Sequence, residues 1–259
     1  MNPEEYARMH ALETDYWWFV GRRAIIGQML DRVIAPPHPP LQLLDLGCGT
    51  GANLPFLCEH LGDGGHVTAL DYSPLALDFA RTATRELPVS LLRGDALKLP
   101  FPDANFDIVS MLDVLEHLRD DSVAAREIHR VLRPGGHLVL SVPAYKKLWS
   151  RHDEALQHYR RYERLELQQL LKRHHFQIRH LSFAMSPMPL AAWAWRRFVL
   201  PFKKDVQTVE NGEGAILPTT PHLANQLLIN YLKWEGRHMM RKPLPWGTSL
   251  VAIARRKDN

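Results

Sequence analysis

An α/β fold with a largely parallel sheet is what this sequence predicts, on three observations. Short apolar runs of strand length recur at 41–46, 66–70, 89–93, 106–112 and 137–142. Stretches with helical periodicity lie between most of them, as crossovers between parallel strands require, and a turn-rich link over 99–105 joins the third to the fourth. The first run, bounded like a buried parallel strand, ends in glycines at alternate positions, Gly47, Gly49 and Gly51, and leads into a helix over 52–60.

The chain of 259 residues is long enough to bury a full core, as one α/β domain or as a core with a small appendage. It carries 32 basic and 28 acidic side chains, a formal net charge of +4. The Lys and Arg residues are scattered or paired, without the dense stripe of a dedicated nucleic-acid binder, so nucleic acid is not an expected partner. Of the two cysteines, Cys48 sits inside the glycine turn, which argues against a disulfide framework and for a reducing cytoplasm. Residues 1–21 are acidic and aromatic, unlike a signal peptide. No run approaches the ~18 apolar residues of a spanning helix.

The glycine turn is the most informative stretch. Glycine tolerates positive φ and lets a ligand lie against bare backbone. The helix behind it directs unpaired N–H groups at a polar or anionic ligand. The spacing Gly-x-Gly-x-Gly differs from the dinucleotide fingerprint Gly-x-Gly-x-x-Gly. Asp45 lies near the end of the strand before the turn. Twenty residues beyond Gly51, Asp71 falls where the second strand ends, a position from which a carboxylate accepts hydrogen bonds from ribose hydroxyls. Ser73-Pro74 reads as the N-cap and first position of the next helix, 75–87.

The string Leu-Asp-Leu-Gly-Cys-Gly-Thr-Gly over 44–51 resembles the first motif of class I S-adenosylmethionine-dependent methyltransferases. The resemblance continues in order through Ala-Leu-Asp-Tyr-Ser-Pro (69–74), Arg-Gly-Asp-Ala (93–96), Phe-Asp-Ile-Val (106–109) and Arg-Pro-Gly-Gly-His-Leu-Val-Leu (133–140), covering roughly 41–143. It implies a Rossmann-like seven-stranded mixed sheet, order 3-2-1-4-5-7-6, with helices on both faces and strand seven antiparallel. It also implies S-adenosyl-L-methionine as cofactor and S-adenosyl-L-homocysteine as product. The cofactor-binding residues by this likeness are Asp45, Gly47, Gly49, Gly51, Asp71, Tyr72, Asp95 and Ala96. Tyr72 would lie against the adenine, Asp95 would take its amino group and the Ala96 backbone would read the ring edge. The other reading of Asp95 is that it closes a turn.

Three units follow: 1–40, a core of 41–183 with 249–259, and an insertion over 184–248 that reads as a helical substrate cap. The first unit, with Tyr6, Tyr16, Trp17, Trp18 and Phe19 before Arg22 and Arg23, fits either a helical layer filling core or a lid placing an arginine near a carboxylate. A helix starting near Asp113 would put Asp113, Glu116 and His117 on one face. That pattern resembles the Glu-x-x-Glu-His of metal-using ubiquinone-pathway and small-RNA methyltransferases. Leu-Glu-His also occurs in metal-independent members of the class, so the expectation is a polar wall and no metal.

Beyond strand five, the loop 145–162 hangs over the carboxyl ends of the strands, where ligands bind in such sheets. His152 and His158 are the candidate bases; Tyr145, Trp149, Arg160 and Arg161 are the candidate acceptor contacts. The stretch 185–204, with Trp193, Trp195 and Phe198, fits core, a dimer contact or peripheral contact with a membrane surface. The leading expectation is a cytoplasmic enzyme that methylates oxygen or nitrogen of a small molecule, with anionic acceptors included. The rivals are a lipid-linked or glycan acceptor at a membrane surface, and a non-catalytic cofactor-binding module. A hydrogen bond to a charged acceptor is worth about 1.5–3 kcal/mol. Calorimetry should therefore find Asp71→Ala binding S-adenosylhomocysteine roughly ten- to a hundredfold more weakly.

Overall fold

The computed structural model describes residues 3–34, 38–186 and 220–257. Trp193, Trp195, Phe198 and all of 185–204 beyond Ser186 lie outside these residues, and so does the polar stretch 206–214.

Two helices come first, α1 (Pro3–Leu12) and α2 (Trp17–Val33). Strands and helices then alternate: β1 (Gln42–Leu46), α3 (Leu54–Leu61), β2 (His66–Asp71), α4 (Pro74–Ala83), β3 (Val89–Arg93) and β4 (Phe106–Leu112). After these come α5 (Asp121–Val131), β5 (Leu132–Pro143), the short α6 (Arg151–Ala155), α7 (Arg164–Arg173) and β6 (Phe176–Ala184). The chain closes with α8 (His222–Arg241) and β7 (Ser249–Arg256). The strands form one sheet in the order β3-β2-β1-β4-β5-β7-β6. All pairings are parallel except those of β7 with β5 and β6.

The period-two alternation of a strand divides the core into two layers. Leu44 and Leu46 of β1, with Val109 and Met111 of β4, face α5 and α7. Leu43 of β1 and Ile108 of β4 face the opposite layer with Ile25, Ile26, Met29 and Leu30 of α2. That second layer also contains Leu232 and Met239 of α8. A Cβ on Gly21 would lie 2.2 Å from a Leu232 methyl, so α2 and α8 meet at nearly bare backbone. The aromatic N-terminal segment contributes to this layer through Tyr16 and Trp17, both buried.

Local chemistry accounts for the element ends. Ser73 accepts from the Ala76 N–H and Pro74 opens α4, as expected. Asp120 caps α5 through the Val123 N–H. Strand β5 starts at Leu132 rather than 137, because Leu132 pairs with Phe106 before a register shift. The charged face of α5 is also less solvated than its periodicity suggests. The Arg130 guanidinium donates to the carbonyls of Leu99 and Phe101 and to Asp103 and Glu127, while Glu127 accepts the Leu99 N–H. These bonds hold the turn-rich link between β3 and β4 against the sheet. Arg130→Ala should cost about 1–3 kcal/mol of stability. A thermal melt should show this as a fall of several degrees in Tm, on the order of 2–4 °C per kcal/mol at this size.

Candidate active site

The sheet order reverses between β1 and β4, the switch point beside which open α/β sheets bind ligands. The glycine turn stands there. The N–H groups of Gly47 and Cys48 both donate to the Leu70 carbonyl, at 2.7 and 3.2 Å, which seats the turn on the end of β2. The Gly49 N–H donates to one oxygen of Asp71 at 2.9 Å, and the Ser73 N–H donates to the other at 2.8 Å. Gly47, Gly49 and Gly51 all have positive φ. Their surroundings differ: a Cβ at Gly47 would strike Val114, at 2.4 Å, whereas a Cβ at Gly49 would meet no protein atom within 4 Å. Gly49 therefore presents bare backbone to open space, and the Asp71 carboxylate is fixed directly beside it.

Asp45 lies beneath this turn, fully buried, and accepts the Ser110 hydroxyl at 2.6 Å. Burial pushes its carboxyl up to about 7, against the Ser110 bond and the nearby Arg22 charge. Tyr72 is 72 % exposed, with the Arg93 guanidinium 6.0 Å from its ring centroid. Asp95 is exposed and accepts the Leu97 N–H at 2.8 Å; its own carbonyl accepts from Lys98. This is the turn-closing role. Ala96, beside it, is buried.

The N-terminal segment reaches the cradle at three points. Tyr6 on α1 bonds to the Ser73 side chain next to Asp71. Glu13, buried, accepts the Thr50 hydroxyl inside the glycine turn at 2.6 Å. Burial raises the Glu13 carboxyl, which the Thr50 bond and nearby cations oppose. Arg22 pairs with Asp113, whose other oxygen accepts the Ser141 hydroxyl at 2.8 Å.

The expected helical face of Asp113, Glu116 and His117 does not form. Asp113 stands at φ +55, and only a single 3-10 turn, Leu115–His117, follows it. Asp113 is directed to Arg22 and Ser141, while Glu116 and His117 turn toward the loop after β5. That loop is built on a buried carboxylate. Asp153, with no solvent exposure, accepts from the Ser150 N–H, from Arg161 Nε at 2.7 Å and from His158 Nδ1 at 3.0 Å. Burial disfavours its charge, but Arg161 and His158 outweigh that and hold the carboxyl low. An ionised carboxylate only accepts, so the His158 proton is on Nδ1 and the Nε2 lone pair points away from Asp153.

His158 packs edge-on against His117, with ring centroids 4.5 Å apart. The other partner of the His117 ring is the Gln157 backbone. Glu116 is 1 % exposed, and its Oε2 has no hydrogen-bond partner among the described residues. Glu116, His117 and His158 each bring a donor atom within 4.8 Å of the other two. Burial lowers both imidazoles, His117 to about 4, and raises the Glu116 carboxyl well above its ordinary range with the help of Asp113.

Three of the four expected acceptor contacts have partners inside the protein, and the fourth, Trp149, stays exposed. Arg161 is the Asp153 clamp and also donates to the Ala144 carbonyl at 3.1 Å. Arg160 pairs with Asp121 at 2.9 Å and donates to the Arg119 carbonyl. Both guanidiniums thus help to fix the loop. Tyr145 stacks on Phe183 at 5.0 Å. Trp149 is 40 % exposed, its indole N–H directed to Glu154. His152 lies exposed in the first turn of α6, apart from the buried cluster.

Residues 44–140 match the family model of a methyltransferase domain. A demethylmenaquinone methyltransferase from Listeria welshimeri is 35 % identical over 119 residues, 42 % of this chain and 50 % of that protein. The chain thus spans about half the length of the curated relatives it matches. The Haloferax volcanii protein solved with the Trm112 methyltransferase activator shares the fold at a TM-score of 0.61 and 20 % identity, over 98 % of this chain and 95 % of that one. Phosphoethanolamine N-methyltransferase 2 of Haemonchus contortus, solved with S-adenosyl-L-methionine, does so at 0.57 and 19 %, over 88 % and 51 %.

The cofactor of such a methyltransferase domain fits the cradle. The space that a Cβ at Gly49 would enter is free of protein, and a fixed carboxylate adjoins it. What the motifs did not disclose is the convergence of His158 with Glu116 and His117, about forty residues apart in sequence. The Leu-Glu-His string was its only local signal. The Glu13–Thr50 bond had none. Gly49→Ala should fold, at a cost of roughly 1–2 kcal/mol for a left-handed alanine. Calorimetry should then find its affinity for S-adenosylhomocysteine reduced by at least ~10-fold, since the new methyl projects only into the cradle.

Proposed function

We propose that this chain transfers the methyl group of S-adenosyl-L-methionine to an oxygen or nitrogen of a small molecule. One observation carries the reading. The cradle at Gly49 and Asp71 stands at the ends of β1 and β2, and the cluster of Glu116, His117 and His158 follows the ends of β4 and β5, across the switch point of the sheet. When bound, the cofactor supplies an electrophilic methyl on a positive sulfonium, with a thioether as leaving group. The chain's part is to align the reactants, exclude water and take a proton where the acceptor is a hydroxyl. Asp71 and the backbone at Gly49 hold the cofactor in register. Tyr6, Glu13 and Arg22 keep the N-terminal segment over it. Asp153 fixes the His158 tautomer so that Nε2 is the atom that accepts the proton.

The relatives' names support the reaction class rather than one acceptor: demethylmenaquinone in one case, phosphoethanolamine in another. Arg160 and Arg161, the expected ligands of an anionic acceptor, are also paired with Asp121 and Asp153. The exposed rings of Trp149 and Tyr159 favour an acceptor with an apolar or aromatic face. Among the described residues no helix is long and apolar enough to cross a membrane.

The test is turnover measured as S-adenosylhomocysteine release over a panel of phenols, hydroquinones and amines. With a hydroxyl acceptor, His158→Ala should lower turnover by ~10²-fold or more, the scale of a lost general base. The loss should fall on His158→Ala rather than His152→Ala, and cofactor affinity should be nearly unchanged in both. Full turnover in His158→Ala would place the base elsewhere.

A further inference from the structure

We infer that Glu116, His117 and His158 form a binding site for one divalent ion of the zinc type. The three donors come from two separate segments, the 3-10 turn after β4 and the loop after β5, and converge within 4.8 Å. Donors around a tetrahedral ion lie about 3.4 Å apart, given bonds of about 2.0–2.2 Å, so an ion draws the three inward by roughly an ångström. The second observation is the Glu116 carboxylate. It is buried, and its Oε2 lacks a hydrogen-bond partner among the described residues. A buried, unpartnered carboxylate oxygen is costly, and a cation supplies the missing partner.

The surroundings of the two imidazoles match those of metal ligands. A ligating histidine commonly donates its other ring N–H to a carboxylate or carbonyl, which fixes the ring and raises its donor strength. His158 has Asp153 in that role at 3.0 Å, and His117 has the Gln157 backbone. Asp153 is itself held by Arg161 and the Ser150 N–H. Two imidazoles with one carboxylate suit zinc, cobalt or nickel rather than magnesium or calcium, which take oxygen ligands. Asp113, the neighbour that would make the set more oxygen-rich, is occupied by Arg22 and Ser141. Three protein donors leave a coordination position open to water or a small ligand.

An ion here joins the turn after β4 to the loop after β5 and takes the Nε2 lone pair of His158. Loading the site therefore inhibits transfer to a hydroxyl acceptor; this consequence rests on the role given to His158 above, whereas ion binding does not. The experiment uses the full chain, stripped with chelator and titrated with Co²⁺ and with Zn²⁺. Co²⁺ should bind at one equivalent with the ligand-field absorption of a low-coordinate nitrogen and oxygen site, and Zn²⁺ should displace it. Glu116→Gln, His117→Asn and His158→Gln should each abolish that spectrum. Asp153→Asn, which alters only the orienting carboxylate, should weaken the ion by about 10–100-fold. Circular dichroism and S-adenosylhomocysteine affinity on the same samples report the fold and the cradle independently of the ion. Glu116→Gln, nearly isosteric and uncharged, is the variant to rely on should Asp153→Asn unfold. The absence of saturable Co²⁺ binding, or an unaltered spectrum in folded Glu116→Gln, overturns the assignment. Ion binding alongside failed cofactor binding would leave the ion site standing and sink the methyltransferase reading instead.

Discussion

The seam between the glycine turn and the end of β2 is the constraint on which the rest of the site depends. Two N–H groups of the turn share the Leu70 carbonyl, and a third is held by Asp71. Those bonds leave the turn no freedom to recede from the strand end, and they require the positive φ values that glycine supplies without strain. Val114 closes the space behind Gly47, and Ala80 closes the space behind Gly51. Only the Gly49 face opens outward. The cradle is thus a consequence of three differently packed glycines, one of which faces open space while the others permit close packing.

A second organising charge is the Asp153 carboxylate. Removing it from water is costly unless its hydrogen-bonding capacity is filled, and Arg161, His158 and the Ser150 N–H fill it. The same bonds fold the loop after β5 back over the strand ends and set the His158 tautomer. Arg160 and Tyr162 add anchors to Asp121 at the start of α5. The loop is therefore held by its polar residues rather than by an apolar core. Its composition resembles that of a ligand-binding loop because both roles call for arginine, histidine and aspartate.

The N-terminal segment joins these two regions. Its apolar side, through α2, completes the core layer against α8. Its polar side places Tyr6, Glu13 and Arg22 on Ser73, Thr50 and Asp113, residues that belong to three different strand ends. Packing and site coverage are served by one segment because α2 lies flat across the sheet while α1 projects toward α4.

The local sequence determined the strands, the glycine turn, the cap at Ser73 and the place of Asp71 at the end of β2. Each is specified by neighbours a few residues apart: alternation for strands, alternate glycines for the turn, serine before proline for the helix. The order of the strands followed from the ordered motifs and was met by the sheet. Tertiary structure decided what happens between segments. Whether Arg160 and Arg161 face a ligand or an internal carboxylate depends on where Asp121 and Asp153 lie, and residue type alone does not say. Whether Asp113 shares a helical face with Glu116 depends on backbone conformation; the left-handed turn at Asp113 gives its carboxylate to Ser141 and Arg22 instead. His158 joins Glu116 and His117 only because Asp153 folds the loop back. That contact spans some forty residues and rests on the bonds that Asp153 makes to Arg161, His158 and Ser150, which leave no periodic trace in the chain.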